Sequence, residues 1–275
     1  MFSSASTTVI PGACVTAPQE CSRWNGFVTI PLLEAHNLYK TFPPLTRRDQ
    51  PAPVLQGISM AVMPGEMVSI VGPSGSGKST LLYCLSGLES PTSGALSVLG
   101  HDLSKQTRSQ VATLRRDHIG FVFQSFNLIP SLSARQNVSL PARLGKRDPN
   151  HPGVERALSD VGMSAHARKR PGELSGGQQQ RVAIARVLAS QPDIVFADEP
   201  TGSLDTANGA EALRLLRQTT TPTSALVMVT HDLEAAALAD RVLVMRDGTI
   251  HRKLVSPTTD AVLDAVRNAR TVGER

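Results

Sequence analysis

Met67-Val68-Ser69-Ile70-Val71-Gly72-Pro73-Ser74-Gly75-Ser76-Gly77-Lys78-Ser79-Thr80 decides the fold. A buried-strand run, Met67–Val71, feeds a glycine-rich loop, and Ser79 to Leu85 then reads as helix. Strand, loop and helix in that order is the context in which G-x-x-x-x-G-K-[ST] has a mechanism. Backbone N–H groups from Ser74 to Thr80 form an anion nest at a helix N-terminus. Lys78 adds a cation for the outer phosphates of a polyphosphate, and Ser79 adds a hydroxyl for magnesium. Gly72, Pro73, Ser74, Gly75, Ser76, Gly77, Lys78, Ser79 and Thr80 are therefore the candidate nucleotide cradle.

Further apolar runs flank this core: Ile119–Phe123, Ile194–Ala197, Ala225–Val229 and Arg241–Met245. Strands alternating with helical stretches predict an α/β domain with a mainly parallel sheet and helices on both faces. Upstream, short apolar runs between Leu32 and Met63 predict strands, split by the proline-rich stretch Pro43–Pro53 as an exposed connection. Residues 125–173 contain no strong strand run but do contain helical patches such as Val154–Val161, which predicts a helical insertion. Val262, Leu263, Val266 and Ala269 are spaced as one face of a short C-terminal helix.

At 275 residues, 40% apolar and 19% charged, the chain has material for one sizeable core. None of its apolar runs approaches the roughly 18 residues that a membrane-spanning helix needs. A net charge of +5 is modest at this length and is read as solubility. No Lys/Arg run exceeds Arg168-Lys169-Arg170, so no nucleic-acid face is expected. Cys14, Cys21 and Cys84 give no disulfide or metal pattern, and Cys84 is expected as a small buried side chain in the helix after Lys78. Residues 1–28, rich in Ser, Thr and Pro, are expected to be a disordered leader rather than a signal peptide.

Leu174-Ser175-Gly176-Gly177-Gln178, continued by Gln179-Gln180-Arg181-Val182-Ala183-Ile184-Ala185-Arg186, resembles the signature segment of the ATP-binding cassette (ABC) ATPases. The likeness covers roughly residues 32–255. It implies a P-loop ATPase domain over 29–256, with an antiparallel β subdomain, a helical subdomain at about 125–180 and a short C-terminal helix or tail over 257–275. ATP and Mg2+ are the implied ligands. By resemblance, Asp198 positions the metal through its hydration shell, with Ser79 and Gln124 also on the metal, and Glu199 is the general base. His231 corresponds to the switch histidine, Gln124 to the Q-loop and Asp205 to the D-loop. Phe42 is where the family stacks an aromatic ring on adenine, with Tyr39 competing for that role. Ser175, Gly176, Gly177 and Gln178, opening a helix near Gln178, are presented in the family to the nucleotide on the opposite protomer.

Within the family, Phe123–Pro130, Asn137–Pro141, Arg170–Leu174 and Ala197–Gly202 resemble the branch of lipoprotein-release, macrolide-export, bacitracin-resistance and cell-division ATPases. Gln136 departs from that pattern, where glutamate is common, and so does Ser203, where asparagine is common. The resemblance implies a homodimer of ATPase domains on the cytoplasmic side of the membrane, peripheral through a separate permease chain docked at Phe126–Pro130. An amino-acid-type importer ATPase and a soluble non-transport clamp are the alternative readings. The clamp is disfavoured because such proteins have paired cassettes or a long coiled-coil insertion.

Overall fold

The computed structural model describes residues 30–44, 51–145 and 148–270. The expected leader, with Cys14 and Cys21, lies outside them. In chain order the elements begin with β1 (Leu33–Phe42), β2 (Ala52–Val62), β3 (Met67–Val71), α1 (Lys78–Leu85), β4 (Ser93–Val98) and β5 (His101–Asp102). Next come α2 (Arg108–His118), β6 (Ile119–Phe123), α3 (Ala134–Val138), α4 (Leu140–Leu144), α5 (Pro152–Asp160) and α6 (Gly176–Ser190). The chain continues through β7 (Ile194–Asp198), α7 (Thr206–Arg217), β8 (Ala225–Val229), α8 (Leu233–Ala237), β9 (Arg241–Arg246), β10 (Thr249–Val255) and α9 (Thr259–Arg270).

The larger sheet has the order β10-β9-β3-β8-β7-β6, parallel throughout except for the antiparallel edge strand β10. Its inner strands are predominantly apolar because both faces are covered. Successive side chains still alternate between two cores. Met67 and Val71 of β3, Leu226 and Met228 of β8, and Val242 and Val244 of β9 join the core under the helical insertion and α9. Val68 and Ile70, Val227 and Val229, and Leu243 and Met245 join the other, beneath α1 and the second sheet.

That second sheet, β2-β1-β4-β5, is antiparallel. Its strand β2 begins at Ala52, inside the proline-rich stretch, and Pro53 pairs with Thr41. In the insertion, α3 and α5 pack on α6, which runs from the signature segment back to the sheet domain. Cys84 is buried in α1, and Val262, Val266 and Ala269 are the buried face of α9.

Candidate functional site

The phosphate loop is held by two glycines. Gly72 has φ 149°, and a Cβ there would stand 2.3 Å from the Met245 carbonyl oxygen. Gly77, with φ 94°, is the N-cap of α1, and its Cβ would stand 2.7 Å from the Val54 carbonyl oxygen. Both positions combine a backbone that glycine alone adopts without strain with no room for a side chain. Lys78 Nζ donates to the carbonyl oxygens of Gly72 (3.0 Å) and Pro73 (2.8 Å), back across the loop. Burial lowers its pKa, against the opposing pull of the Glu199 and Asp198 carboxylates. Ser76 Oγ is buried in the loop without a protein partner.

The acidic pair closes on this loop from β7, whose C-terminal residue is Asp198. Asp198 Oδ1 accepts from Ser79 Oγ (3.1 Å), and Oδ2 accepts from the Tyr83 hydroxyl (2.7 Å). Burial, reinforced by the hydrogen bond to Asp198 and that residue's charge, pushes the Tyr83 phenol up to about 12. Glu199 adopts φ 48°, a left-handed conformation unusual outside glycine. Glu199 Oε2 accepts from the His231 backbone N–H (3.2 Å) and lies 2.7 Å from His231 Nδ1. Ser79 with Asp198 and Glu199 with His231 thus form two polar pairs at the C-terminal edge of the parallel strands, where open α/β sheets bind ligands, and Lys78 feels the charge of both carboxylates.

Gln124, just past β6, shares a cavity of about 390 Å³ with Tyr83, Ser125, Asn127, Asp198 and Ser203. Its carbonyl oxygen accepts from Ser203 Oγ (3.2 Å), so the serine at this departure from the family pattern ties the two loops together. Beyond Gln124 the chain turns through Phe126 (φ 61°) and Asn127 (φ 47°). The carbonyl oxygens of both accept from Arg186 of α6, at 3.3 and 2.9 Å. Buried Asn137 of α3 fixes the next turn: its Oδ1 accepts from the Ile129 N–H, and its Nδ2 donates to the carbonyls of Ile129, Leu132 and Ser133. Arg186 and Asn137 both fall within the motif segments, but no motif marks either as shaping the Q-loop. Gln136 completes a capping box with Ser133 at the start of α3, a role that an amide fills as well as a carboxylate.

Ser175 is the N-cap of α6, which opens at Gly176 rather than near Gln178. Ser175 Oγ accepts from the Gln178 N–H (3.3 Å), and Gln178 Oε1 accepts from the Ser175 N–H (3.1 Å). A Cβ on Gly177 would meet the Asn208 side chain at 3.0 Å, and one on Gly176 would lie 3.8 Å from the Ser203 carbonyl oxygen and 3.9 Å from the Phe126 ring. Asp205 caps α7, accepting from the Asn208 backbone (3.0 Å) and side-chain amide (2.7 Å). The signature residue Gly177 and the D-loop residue Asp205 therefore meet at Asn208.

Residues 55–202 match the family described as ABC transporter. The chain belongs to the ABC transporter ATPase family. It is an ATP hydrolase with the fold of an ABC cassette. The macrolide export ATP-binding/permease protein MacB of Marinobacter nauticus is 42% identical over 222 residues, 80% of this chain and 34% of that protein. The pyoverdine export ATP-binding/permease protein PvdT of Pseudomonas entomophila is 43% identical over 224 residues, again 80% and 34%. The chain thus spans about a third of the length of these curated relatives. A dimeric, post-hydrolysis structure of the ATP-binding cassette MJ0796 bound to ADP and Pi superposes with a TM-score of 0.74 at 36% identity, covering 82% of this chain and 99% of that one.

The cassette's oxygen donors suit magnesium. Among the described residues no three His, Cys, Asp or Glu side chains gather as a metal cage. Ser79 Oγ and one carboxylate, Asp198, instead stand together beside the phosphate loop. One or two oxygen ligands next to a phosphate site is the arrangement Mg2+ favours, since it keeps waters and binds substrate phosphates. At the other end of the cradle, Phe42 closes β1 and pairs with Ala52, two residues before the Val54 whose carbonyl oxygen abuts Gly77. The Lys40 ammonium lies 4.7 Å from the Phe42 ring centroid. The Tyr39 hydroxyl lies over Gly57, farther along β2.

Proposed function

We propose that this chain is the ATP-driven engine of a membrane exporter, working as a homodimer on the cytoplasmic side of the membrane with a permease carried on another chain. The observation that carries the reading is the division of the motif residues into two groups. Ser79 bonds Asp198, Glu199 bonds His231 and Lys78 feels both carboxylates, whereas Gly177 lies beside Asn208 and Gly176 near Ser203 and Phe126. Two copies facing each other would give each Lys78 loop a Ser175 loop from the partner, and MJ0796 is dimeric. The likeness to the MacB and PvdT cassettes supports export. The permease partner follows from the family resemblance, and MacB and PvdT are themselves named ATP-binding/permease proteins.

In each site the loop N–H groups and Lys78 would hold the phosphates, and Ser79, Asp198 and Gln124 would hold Mg2+, which would neutralise phosphate charge. Glu199 takes the proton of the attacking water. His231, held against Glu199, faces the terminal phosphate. Asp205, beside the signature cluster, lies at the shared interface. Positioning and charge stabilisation are most of what phosphoryl transfer asks of a protein. The adenine ring stacks on Phe42, the aromatic residue at the phosphate-loop end of its strand. Since stacking on a base contributes about 1–3 kcal/mol, Phe42→Ala should weaken ATP binding about tenfold. Equilibrium titration with a fluorescent nucleotide measures this, and an unchanged affinity returns the role to Tyr39.

The permease docks on the loop that follows Gln124. Phe126 and Leu128 are half-buried, the latter packed on the core, while Ile129 is the exposed apolar side chain of the segment at 39%. Ile129→Asp should therefore break membrane recruitment by a co-expressed permease at least about tenfold, as expected for a central interface residue, and leave ATP binding intact. Cell fractionation with and without the permease reads the result. If the cassette alone binds lipid vesicles as well as the complex does, the docking account fails.

A further inference from the structure

Tyr83 is absorbed by none of the motifs, yet its hydroxyl makes the shorter of the two side-chain hydrogen bonds to Asp198. Ser79 and Tyr83 are four residues apart on α1 and so project from one face of the helix. Each takes one carboxylate oxygen of Asp198: Ser79 Oγ at 3.1 Å from Oδ1, and the Tyr83 hydroxyl at 2.7 Å from Oδ2. One helix face therefore grips both oxygens of the residue that ends β7. Of the two grips, only that of Ser79 competes with the metal role given to Ser79 above.

The Tyr83 ring is fixed from behind. It packs against the core beneath α1. Its carbonyl oxygen accepts from the backbone N–H groups of Leu88 (2.9 Å) and Glu89 (3.0 Å) and from Ser86 Oγ (3.1 Å), pinning the end of α1. Glu89 is in turn tied to buried Lys40 at 2.5 Å. A phenol so anchored has little freedom to follow Asp198 if the carboxylate rotates. It sets the carboxylate's orientation instead. Tyr83 also lines the cavity it shares with Gln124, so its hydroxyl stands where the Walker B strand and the Q-loop meet.

We infer that Tyr83 is a positioning residue for the magnesium site: its hydroxyl locks Oδ2 of Asp198 and so presents Oδ1 toward Ser79 and the metal's hydration shell. The inference rests on the metal role proposed for Asp198 above. Partners of a metal ligand that fix its orientation typically contribute about 10–100-fold in metal affinity or activity.

The test compares the wild-type chain with Tyr83→Phe, which removes one oxygen and keeps the ring, in equilibrium binding of ADP with and without Mg2+ and in the Mg2+ dependence of turnover. Metal-free ADP affinity should stay within about twofold of wild type, while the gain in ADP affinity on adding Mg2+ falls about tenfold. Half-saturating Mg2+ for hydrolysis should rise by a similar factor, with the maximal rate largely recovered at high Mg2+. A purely structural tyrosine predicts otherwise. In that case Tyr83→Phe would match wild type at every Mg2+ concentration while Tyr83→Leu, which also removes the ring, loses nucleotide binding in both conditions; this result overturns the proposal. Asp198→Asn separates the two levels of the argument. If that variant keeps the wild-type Mg2+ response, the metal role of Asp198 itself fails. If it loses the response while Tyr83→Phe keeps it, only the role of Tyr83 fails.

Discussion

Glu199→Gln is expected to retain ATP binding and to lose hydrolysis by about 10²–10⁴-fold, the range that a positioned general base contributes. In the wild-type chain Glu199 Oε2 accepts from the His231 backbone and lies against His231 Nδ1. A glutamine oxygen is able to accept the same backbone bond, and the residue keeps the left-handed φ of 48° that turns its side chain out of β7. What the amide cannot do is take a proton from water. The geometry survives while the chemistry is lost. With ATP and Mg2+ the variant should accumulate as a nucleotide-bound dimer, visible by size-exclusion chromatography, alongside near-absent phosphate release. Hydrolysis close to the wild-type rate would remove Glu199 from the base role.

The inner strands of the parallel sheet were legible because burial on both faces leaves them almost wholly apolar, with Ser69 the one polar residue of β3. Met67–Val71 and Ala225–Val229 are buried at every residue. β4 and β10 were not read from the sequence. β4 buries only Leu96 and Val98, and β10 is an edge strand exposed or half-exposed at every position, so neither carries an apolar run or a clean alternation. The start of α6 was misplaced toward Gln178 because Gly176 and Gly177 are poor helix formers. The capping box of Ser175 and Gln178, three residues apart, was the available signal for the true boundary.

The phosphate loop, acidic pair and signature were legible because each concentrates its chemistry within a few consecutive residues. Tyr83 and Arg186 act across the fold. Tyr83 meets Asp198 from 115 positions away, and Arg186 holds Phe126 from 60. No local pattern announces such pairings. The spacing of Tyr83 one helical turn beyond Ser79 was the sole hint, and it becomes meaningful once α1 is seen to lie against the end of β7.

The largest remaining effect concerns the division of the site between two chains. Lys78→Ala removes the cation facing the phosphates, and Ser175→Arg places a bulky cation at the N-cap of α6. Loss of that cap costs about 1 kcal/mol. Each variant alone should be nearly inactive, since every site in either homodimer lacks one half. A mixed dimer differs. It joins the intact phosphate loop of the Ser175 variant to the intact signature of the Lys78 variant and so contains one whole site beside one doubly broken site.

The most direct measurement is therefore the ATPase activity of the two inactive variants mixed one to one, with mixed dimers verified by crosslinking. Random pairing makes about half the dimers mixed, each with one of two sites whole, so recovery to about a quarter of wild-type activity is expected. No recovery despite confirmed mixed dimers would contradict a site completed by Ser175 across the interface and able to turn over on its own.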